Sequence, residues 1–409
     1  MTDPSCRACG NELRTVLSLG DMPPSNALLT AEQLGKPEAR YPLDLALCTA
    51  CGLAQITVAL DPAELFEEYA YFSSYSTTML EHAEALVKRM IDERGLGQDD
   101  LAMEVASNDG YLLQYYAQAG VPTLGIDPAR NVVPTARERG VETLCAFFGP
   151  ELAEDLRRSG RRASVLHANN VLAHVPDVNG VARGIGRVLA DNGVAVIETP
   201  YVRDLVERVE FDTIYHEHLF YYSFTALEGI LERNGVRVVD VERIPIHGGS
   251  LRVFAVPTAA TPPAAAAVES LREEEAGLGV TTSAYFEALA DRVETLRVEL
   301  VELLRGLKNE GHCIAAYGAA AKGAVLLNAF ALGTDTLDFV ADRSEYKQGR
   351  YMPGVHLPIS PPDRILSEMP DEVLVLAWNF ADEIMDQLSK YRERGGRFIL
   401  PVPTPQVVG

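Results

Sequence analysis

Residues 101–130, LAMEVASNDGYLLQYYAQAGVPTLGIDPAR, constrain the fold more than any other stretch of the chain. They predict a strand, a tight loop, a helix and a second strand. The apolar run at 102–106 is interrupted by Glu104, and Ser107-Asn108-Asp109-Gly110 then supplies residues that tolerate a left-handed backbone. The second strand, at 123–126, ends in Asp127, 23 residues after Glu104, a spacing that suits a carboxylate accepting bonds from a ribose diol. A dinucleotide fingerprint needs three glycines so that the backbone can approach a pyrophosphate, and this loop has only Gly110. S-adenosylmethionine (SAM), which has a ribose and an amino-acid end but no phosphate, fits better, so methyl transfer is favoured over hydride transfer. The bland alternative is an ordinary strand-to-helix turn with no ligand.

A chain of 409 residues has room for two or three domains, each with its own core. The net charge of -22, from 36 Lys and Arg against 58 Asp and Glu, disfavours a nucleic-acid substrate and leaves a small or nucleotide-sized one. No apolar run reaches the roughly 18–20 residues of a membrane span. The polar start, with early Cys6 and Arg7, has no signal-peptide pattern. A cytoplasmic protein is expected, without membrane, nucleic-acid or obligate protein partners.

Cys6-x-x-Cys9 and Cys48-x-x-Cys51 are separated by 38 residues, and each pair is followed by a glycine. Two such knuckles predict the closed four-thiolate site of a structural zinc. Disulfides conflict with the expected compartment, and four thiolates leave no open position for catalysis. Cys145 and Cys313 fall among apolar neighbours and are expected to be buried. Five aromatic rings crowd residues 66–75; most should pack as core, while a phenol such as Tyr69 or Tyr75 could reach a pocket.

A helix is expected over 78–94. Helices at 132–139 and 150–158 then alternate with strands at 142–146, 164–169 and 193–198, which predicts a parallel, doubly wound sheet over about 80–240. Ligands in such sheets sit at the carboxyl ends of the strands, where this sequence places polar residues, Asn169-Asn170 and Glu198 among them.

Five of the eight histidines lie between 167 and 247, and the densest piece is Tyr215-His216-Glu217-His218. His-x-His could begin a second metal site, but two imidazoles alone do not fill a coordination sphere. The other reading is acid–base work by an imidazole, with Glu217 either orienting the ring or remaining a solvated carboxylate.

The order CxxC, CxxC, YAYFSSYS, EVASNDG, GIDPA, HANNVLAHVPD, YHEHLFYYS and HGGSLR spans nearly the whole chain. It resembles the SAM-dependent C-methyltransferases of deoxysugar biosynthesis. That resemblance implies an α/β chain with three parts: an N-terminal zinc-binding module (1–75), a central Rossmann-like SAM methyltransferase domain (76–256) and a C-terminal Rossmann-like domain (257–409). It implies methylation at C3 of a dTDP-linked 4-keto-deoxysugar, with His218 as base and Tyr69, His174, Tyr215 and Glu217 around the sugar. The expected cofactor contacts are Tyr75, Glu104, Ala106, Asn108, Asp127, Phe148 and Asn170, with Ala106 standing where many methyltransferases carry glycine. Substrate contacts are expected at His216, Tyr222, His247, Lys322 and Asn379. An O- or N-methyltransferase acting on a sugar or other small natural product remains the alternative, because SAM motifs do not identify the atom methylated.

The C-terminal third opens with an Ala/Pro-rich stretch at 256–268, expected as a linker, and a long helix at 283–310. A strand at 312–317 then runs into Gly318-Ala-Ala-Ala-Lys322-Gly323 and a helix at 324–331, with further strands at 337–341 and 373–376. Small residues at a helix start let a phosphate approach, and Lys322 offers a point charge. The alternative is a structural repeat with a surface lysine.

Overall fold

The computed structural model describes residues 5–67 and 72–409, so Tyr69 lies outside the described residues. Three sheets are built in chain order. β1 (Arg14–Met22), β2 (Tyr41–Leu47) and β3 (Ala54–Ile56) form an antiparallel sheet beside the cysteine knuckles. The helix Thr77–Arg94 follows; Ser76 caps it by accepting from the Met79 amide, and Gly95 in left-handed conformation closes it. Its buried face, Met79, Ala83, Leu86, Val87 and Met90, recurs at helical spacing.

The central sheet comprises β4 (Ala102–Val105), β5 (Thr123–Asp127), β6 (Thr143–Cys145), β7 (Ala163–Asn169) and β8 (Leu189–Pro200). The chain then spends β9 (Phe220–Tyr221) on the N-terminal sheet, where it pairs with β3, before β10 (Val236–Ile244) and β11 (Ser250–Pro257) complete the central one. The order β10-β11-β8-β7-β4-β5-β6 is parallel from β8 to β6 and antiparallel at β10 and β11. The sheet is therefore mixed rather than parallel throughout. Only residues 245–249 join β10 to β11, and a parallel pair would need a crossover of a dozen residues or more. β4 has β5 on one side and β7 on the other, which puts the topological switch at the carboxyl ends of β4 and β7.

The expected linker is shorter than 256–268. After Pro262 and Pro263 the alanine-rich run becomes the helix Ala266–Leu278, as strong helix formers do once past a proline. Its Glu275 accepts from the Tyr201 hydroxyl (2.8 Å) and from the amides of Phe224 (2.6 Å) and Thr225 (2.8 Å), locking this helix to the central domain. The long helix Ser283–Asn309 leads to β12 (Ile314–Tyr317), β13 (Val340–Ala341), β14 (Ile359–Ser360), β15 (Glu372–Val375), β16 (Arg397–Leu400) and β17 (Gln406–Val408). In the order β14-β13-β12-β15-β16-β17 all pairs but the last are parallel, and β12 between β13 and β15 marks a second switch point. Among the described residues no helix is long and apolar enough to cross a membrane. Cys145 and Cys313 are exposed, contrary to expectation, because Cys145 ends the edge strand β6 and Cys313 precedes β12.

Candidate active site

Cys6, Cys9, Cys48 and Cys51 bring their four sulfurs within 4.8 Å of one another. The Cys6–Cys51 and Cys9–Cys48 separations are 3.6 and 3.5 Å, close to the roughly 3.8 Å edge of a tetrahedron with Zn–S bonds of about 2.3 Å. The donor set fits a closed structural zinc. Gly10 and Gly52 take positive φ at the two knuckle turns, and at Gly52 a Cβ would strike Thr281.

A cavity of about 1110 Å³ faces both switch points, and all three parts of the chain line it. On the central side it is bounded by Ala106 and Asn108 after β4, Asp127 at the end of β5, Phe148, Asn169 at the end of β7 and Asn170 after it, with Tyr75 at the rim. Asp127 is buried; its Oδ2 accepts from the Asn108 amide and its Oδ1 from the Ala129 amide, both at 2.8 Å, so it shapes the loop while facing the cavity. Burial pushes its carboxyl up. Asp109 is fully buried and paired with Arg139 at 3.0 Å. Glu104 lies beneath the loop rather than in the cavity wall; burial first, and the charges of Asp127 and Asp109 next, push it well above the carboxylate range. Glu104 is thereby held as the neutral acid and Asp109 is matched by Arg139, which leaves Asp127 as the acid of this loop that faces the cavity. Among the described residues, Glu104 Oε2, Asp109 Oδ1 and the Oδ1 atoms of Asn169 and Asn170 find no hydrogen-bond donor. Ala106, Asn108, Asn170 and His247 are four of the eight described non-glycine residues with positive φ, and all four line this cavity. Backbone strain of that kind concentrates at ligand sites.

Opposite them stands the histidine segment. His218 Nδ1 lies 3.2 Å from the Thr213 carbonyl, so this nitrogen carries the proton and Nε2 carries the lone pair, which receives the Tyr215 hydroxyl at 2.8 Å. Burial, followed by the neighbouring His174, holds His218 well below its ordinary pKa, and the ring is neutral at neutral pH. The His174 ring packs edge-on at 4.7 Å, and its Nδ1 donates to the Glu217 carbonyl (2.7 Å). The Glu217 side chain is buried and accepts from Asn26 of the N-terminal part (2.6 Å); burial pushes it up to about 7. It is neither a solvated carboxylate nor a partner of the His218 ring.

Residues 6–66 match the family of a zinc binding domain, residues 78–241 that of a methyltransferase domain, and residues 245–403 that of a C-methyltransferase C-terminal domain. The chain is 38% identical over 404 residues to C-methyltransferase NovU of Streptomyces niveus, covering 98% of this chain and 96% of the relative. The chain belongs to the C-methyltransferase family. A ubiquinone biosynthesis O-methyltransferase from Azorhizobium caulinodans matches over 98 residues only, at 28% identity, 24% of this chain and 39% of its own. The magnesium protoporphyrin IX methyltransferase of Synechocystis PCC 6803, solved with bound SAM, overlaps 44% of this chain and 79% of its own at 15% identity and TM-score 0.34, and the assignment does not rest on it.

This C-methyltransferase uses SAM and carries a zinc-binding module. Its cavity gathers Tyr75, Ala106, Asn108, Asp127, Phe148, Asn170, His174, Tyr215, Glu217, His218, His247, Lys322 and Asn379. His216 and Tyr222 stand outside the wall: the His216 ring is buried edge-on to Tyr41, and the Tyr222 hydroxyl donates to the Leu172 carbonyl at 2.9 Å. Residues 215–218 form a turn closed by the His218 amide donating to the Tyr215 carbonyl (2.9 Å), which turns the His216 ring away while Tyr215, Glu217 and His218 line the cavity. Among the described residues the only metal-like cluster is the four cysteines, and His-x-His starts no second one.

Lys322 is not a surface lysine. It is partly buried, donates to Asn379 at 3.1 Å and sits 4.1 Å above the Trp378 ring, whose Nε1 donates to Asp212 (2.7 Å). Burial lowers its pKa while Asp212 and Glu210 raise it. Burial pushes Glu210 up to about 8 and Asp212 up to about 6. Sequence reading missed Glu210, Asp212 and Trp378. Asp212 and Trp378 stand 166 residues apart, and nothing local to either announces the contact.

Proposed function

We propose that the protein methylates a ring carbon alpha to a ketone, C3 of a dTDP-linked 4-keto-deoxysugar, with His218 as the base. The observation that carries this reading is the neutral His218 ring, its Nδ1–H fixed on Thr213 and its Nε2 turned to Tyr215 in the cavity wall. When the sugar enters, the Tyr215 hydroxyl turns from Nε2 to the ketone oxygen. Nε2 then takes the alpha proton, and the negative charge moves to that oxygen, which Tyr215 and Lys322 stabilise. SAM supplies an electrophilic methyl: the C–C bond forms as the S–CH3 bond breaks, leaving S-adenosylhomocysteine. His218 afterwards returns its proton to solvent.

Lys322 serves the sugar rather than the diphosphate in this reading. Burial holds Glu210 protonated, with its pKa up at about 8, so the Asp212 carboxylate alone matches Lys322 and the pair offers a diphosphate no net positive charge. The helix Ala321–Ala329 has no side-chain cap, and Lys347 and Arg350 line the same cavity, which supports diphosphate docking there. Tyr69 remains proposed beside the sugar, and cytoplasmic residence suits a nucleotide-linked substrate.

The test is incubation with SAM and a panel of dTDP-4-keto sugars, followed by NMR of the product. A methyl singlet on a quaternary carbon is expected; a methoxy signal, or no product from any keto sugar, would overturn the reading.

A further inference from the structure

A polar side chain with no part in the cavity ties the zinc module to the catalytic segment. Gln55 lies on β3 and is fully buried. Its Nε2 donates to Cys6 Sγ at 3.2 Å, while its Oε1 accepts from the Arg7 amide (3.2 Å) and from Arg7 Nη1 (3.1 Å). The Arg7 guanidinium continues to the carbonyls of Ile56 (2.6 Å) and Thr57 (3.2 Å). An apolar side chain would suit a buried strand position as well, whereas a buried amide is tolerated only when its bonds are met. The first knuckle meets them.

From Gln55 the path to His218 is short. β3 pairs with β9, Gln55 opposite Phe220 and Ala54 opposite Tyr221, and the Ile56 amide donates to the carbonyl of Leu219, the residue after His218. Tyr221 of β9 sends its hydroxyl to the Thr213 carbonyl (3.4 Å), the same oxygen that receives His218 Nδ1–H (3.2 Å). β9 is the last strand of its sheet, and β3 is its one strand partner there; on its other side the Leu219 and Phe220 amides donate to the Ala173 carbonyl, so the brace acts together with that anchor. The oxygen that fixes the His218 tautomer is thus touched by a strand whose place depends on the knuckle.

We propose that Gln55, with Arg7, is a positioning residue through which the zinc module holds His218 in its reactive orientation, so that the module braces the catalytic strand as well as stabilising its own fold. The link to turnover rests on the proposed role of His218; the orientation itself does not.

The test uses full-length, zinc-loaded Gln55→Met, of similar length and without the bonds, and Arg7→Met as an independent break in the same link. Four quantities are measured: zinc per chain, SAM affinity by calorimetry, kcat and KM on a keto sugar, and the imidazole resonances of 15N-histidine-labelled protein, that of His218 being identified by its loss in His218→Gln. Both variants are expected to keep about one zinc and to bind SAM within about twofold of wild type. kcat should fall about 10- to 100-fold at little-changed KM, the range seen when partners of metal ligands are removed, and the His218 resonance should shift or broaden while that of His167 stays. Unchanged kcat and an unchanged His218 resonance with zinc retained would overturn the proposal, as would zinc loss that accounts for the whole effect. If wild type turns over no keto sugar while the His218 resonance still responds, the substrate reading fails and the brace stands.

Discussion

The two switch-point loops perform the same backbone task with opposite electrostatics. After β4 the loop amide of Asn108 donates to Asp127 at the end of the next strand, which also takes the amide two residues on, Ala129. After β12 the loop amide of Ala319 donates to Asp342 (2.7 Å), which also takes the amide two residues on, Ser344 (2.8 Å). Around the first carboxylate stand the buried acids Glu104 and Asp109. Around the second stand cations: Lys347 donates to the Ala319 carbonyl (2.8 Å) and lies 3.9 Å from Asp342, and Lys322 follows in the helix. One turn geometry has been fitted with buried acids in one half and with lysines in the other. Ligand choice therefore resides in the side chains grafted on the turn.

Substitutions can break that division. His218→Asn, on the central half, is expected to lower kcat about 10²- to 10⁴-fold, the usual cost of losing a general base, with SAM affinity unchanged by calorimetry. Survival of wild-type turnover would move the base to His174. Lys322→Met should lower kcat about 10²- to 10³-fold, as loss of an oxyanion-stabilising group does, while leaving dTDP affinity alone. Weakened dTDP binding with kcat preserved would instead return Lys322 to the diphosphate. Asp127→Asn should weaken SAM binding about 10-fold, on the order of one charge-assisted hydrogen bond, and leave dTDP binding untouched. Asparagine is the smaller change because its one carbonyl oxygen still accepts from the amide of Asn108 or of Ala129, whereas alanine releases both.

Much of this architecture is legible in local pattern. The knuckles, the loop at 106–110 and the helix Pro150–Arg158 each announce themselves through spacing or turn chemistry within a few residues. What local pattern hides depends on pairings distant along the chain. β9 is two residues long and is recruited by β3 from more than 160 positions away, which no periodicity signals. The acids beside Lys322 are Glu210 and Asp212, just before and within the turn Phe211–Thr213, so a lysine that could equally be read as a surface residue is partly buried once that turn packs on it. Cysteines 145 and 313 show the converse. Their apolar neighbours suggest burial, but Cys145 ends an edge strand and Cys313 sits one residue before β12, outside the sheet.

An effect on stability is expected at the wall between the two halves, where Glu217 is held by Asn26. Burial raises its folded-state pKa from 4.5 to about 7, so the native protein binds a proton that the unfolded chain has released. That proton's contribution to stability is fully present below about pH 4.5 and is lost as pH rises to about 7. His174 and His247, held neutral at about 4 by burial, act oppositely: their contribution is present above about pH 6.5 and is lost as pH falls toward 4. Between these limits the two slopes compete, and wild-type stability should vary less with pH than either group alone would give. Glu217→Gln removes only the first slope. Its Tm relative to wild type should therefore rise as pH goes from 5 to 7.5, by about 4–8 °C, since the shift from 4.5 to about 7 is worth roughly 2 kcal/mol over that interval and about 1 kcal/mol moves Tm by about 2–4 °C in a domain of this size. A Tm difference that stays flat across that interval would mean that Glu217 is ionised throughout in the folded protein, with Lys347 rather than burial governing it.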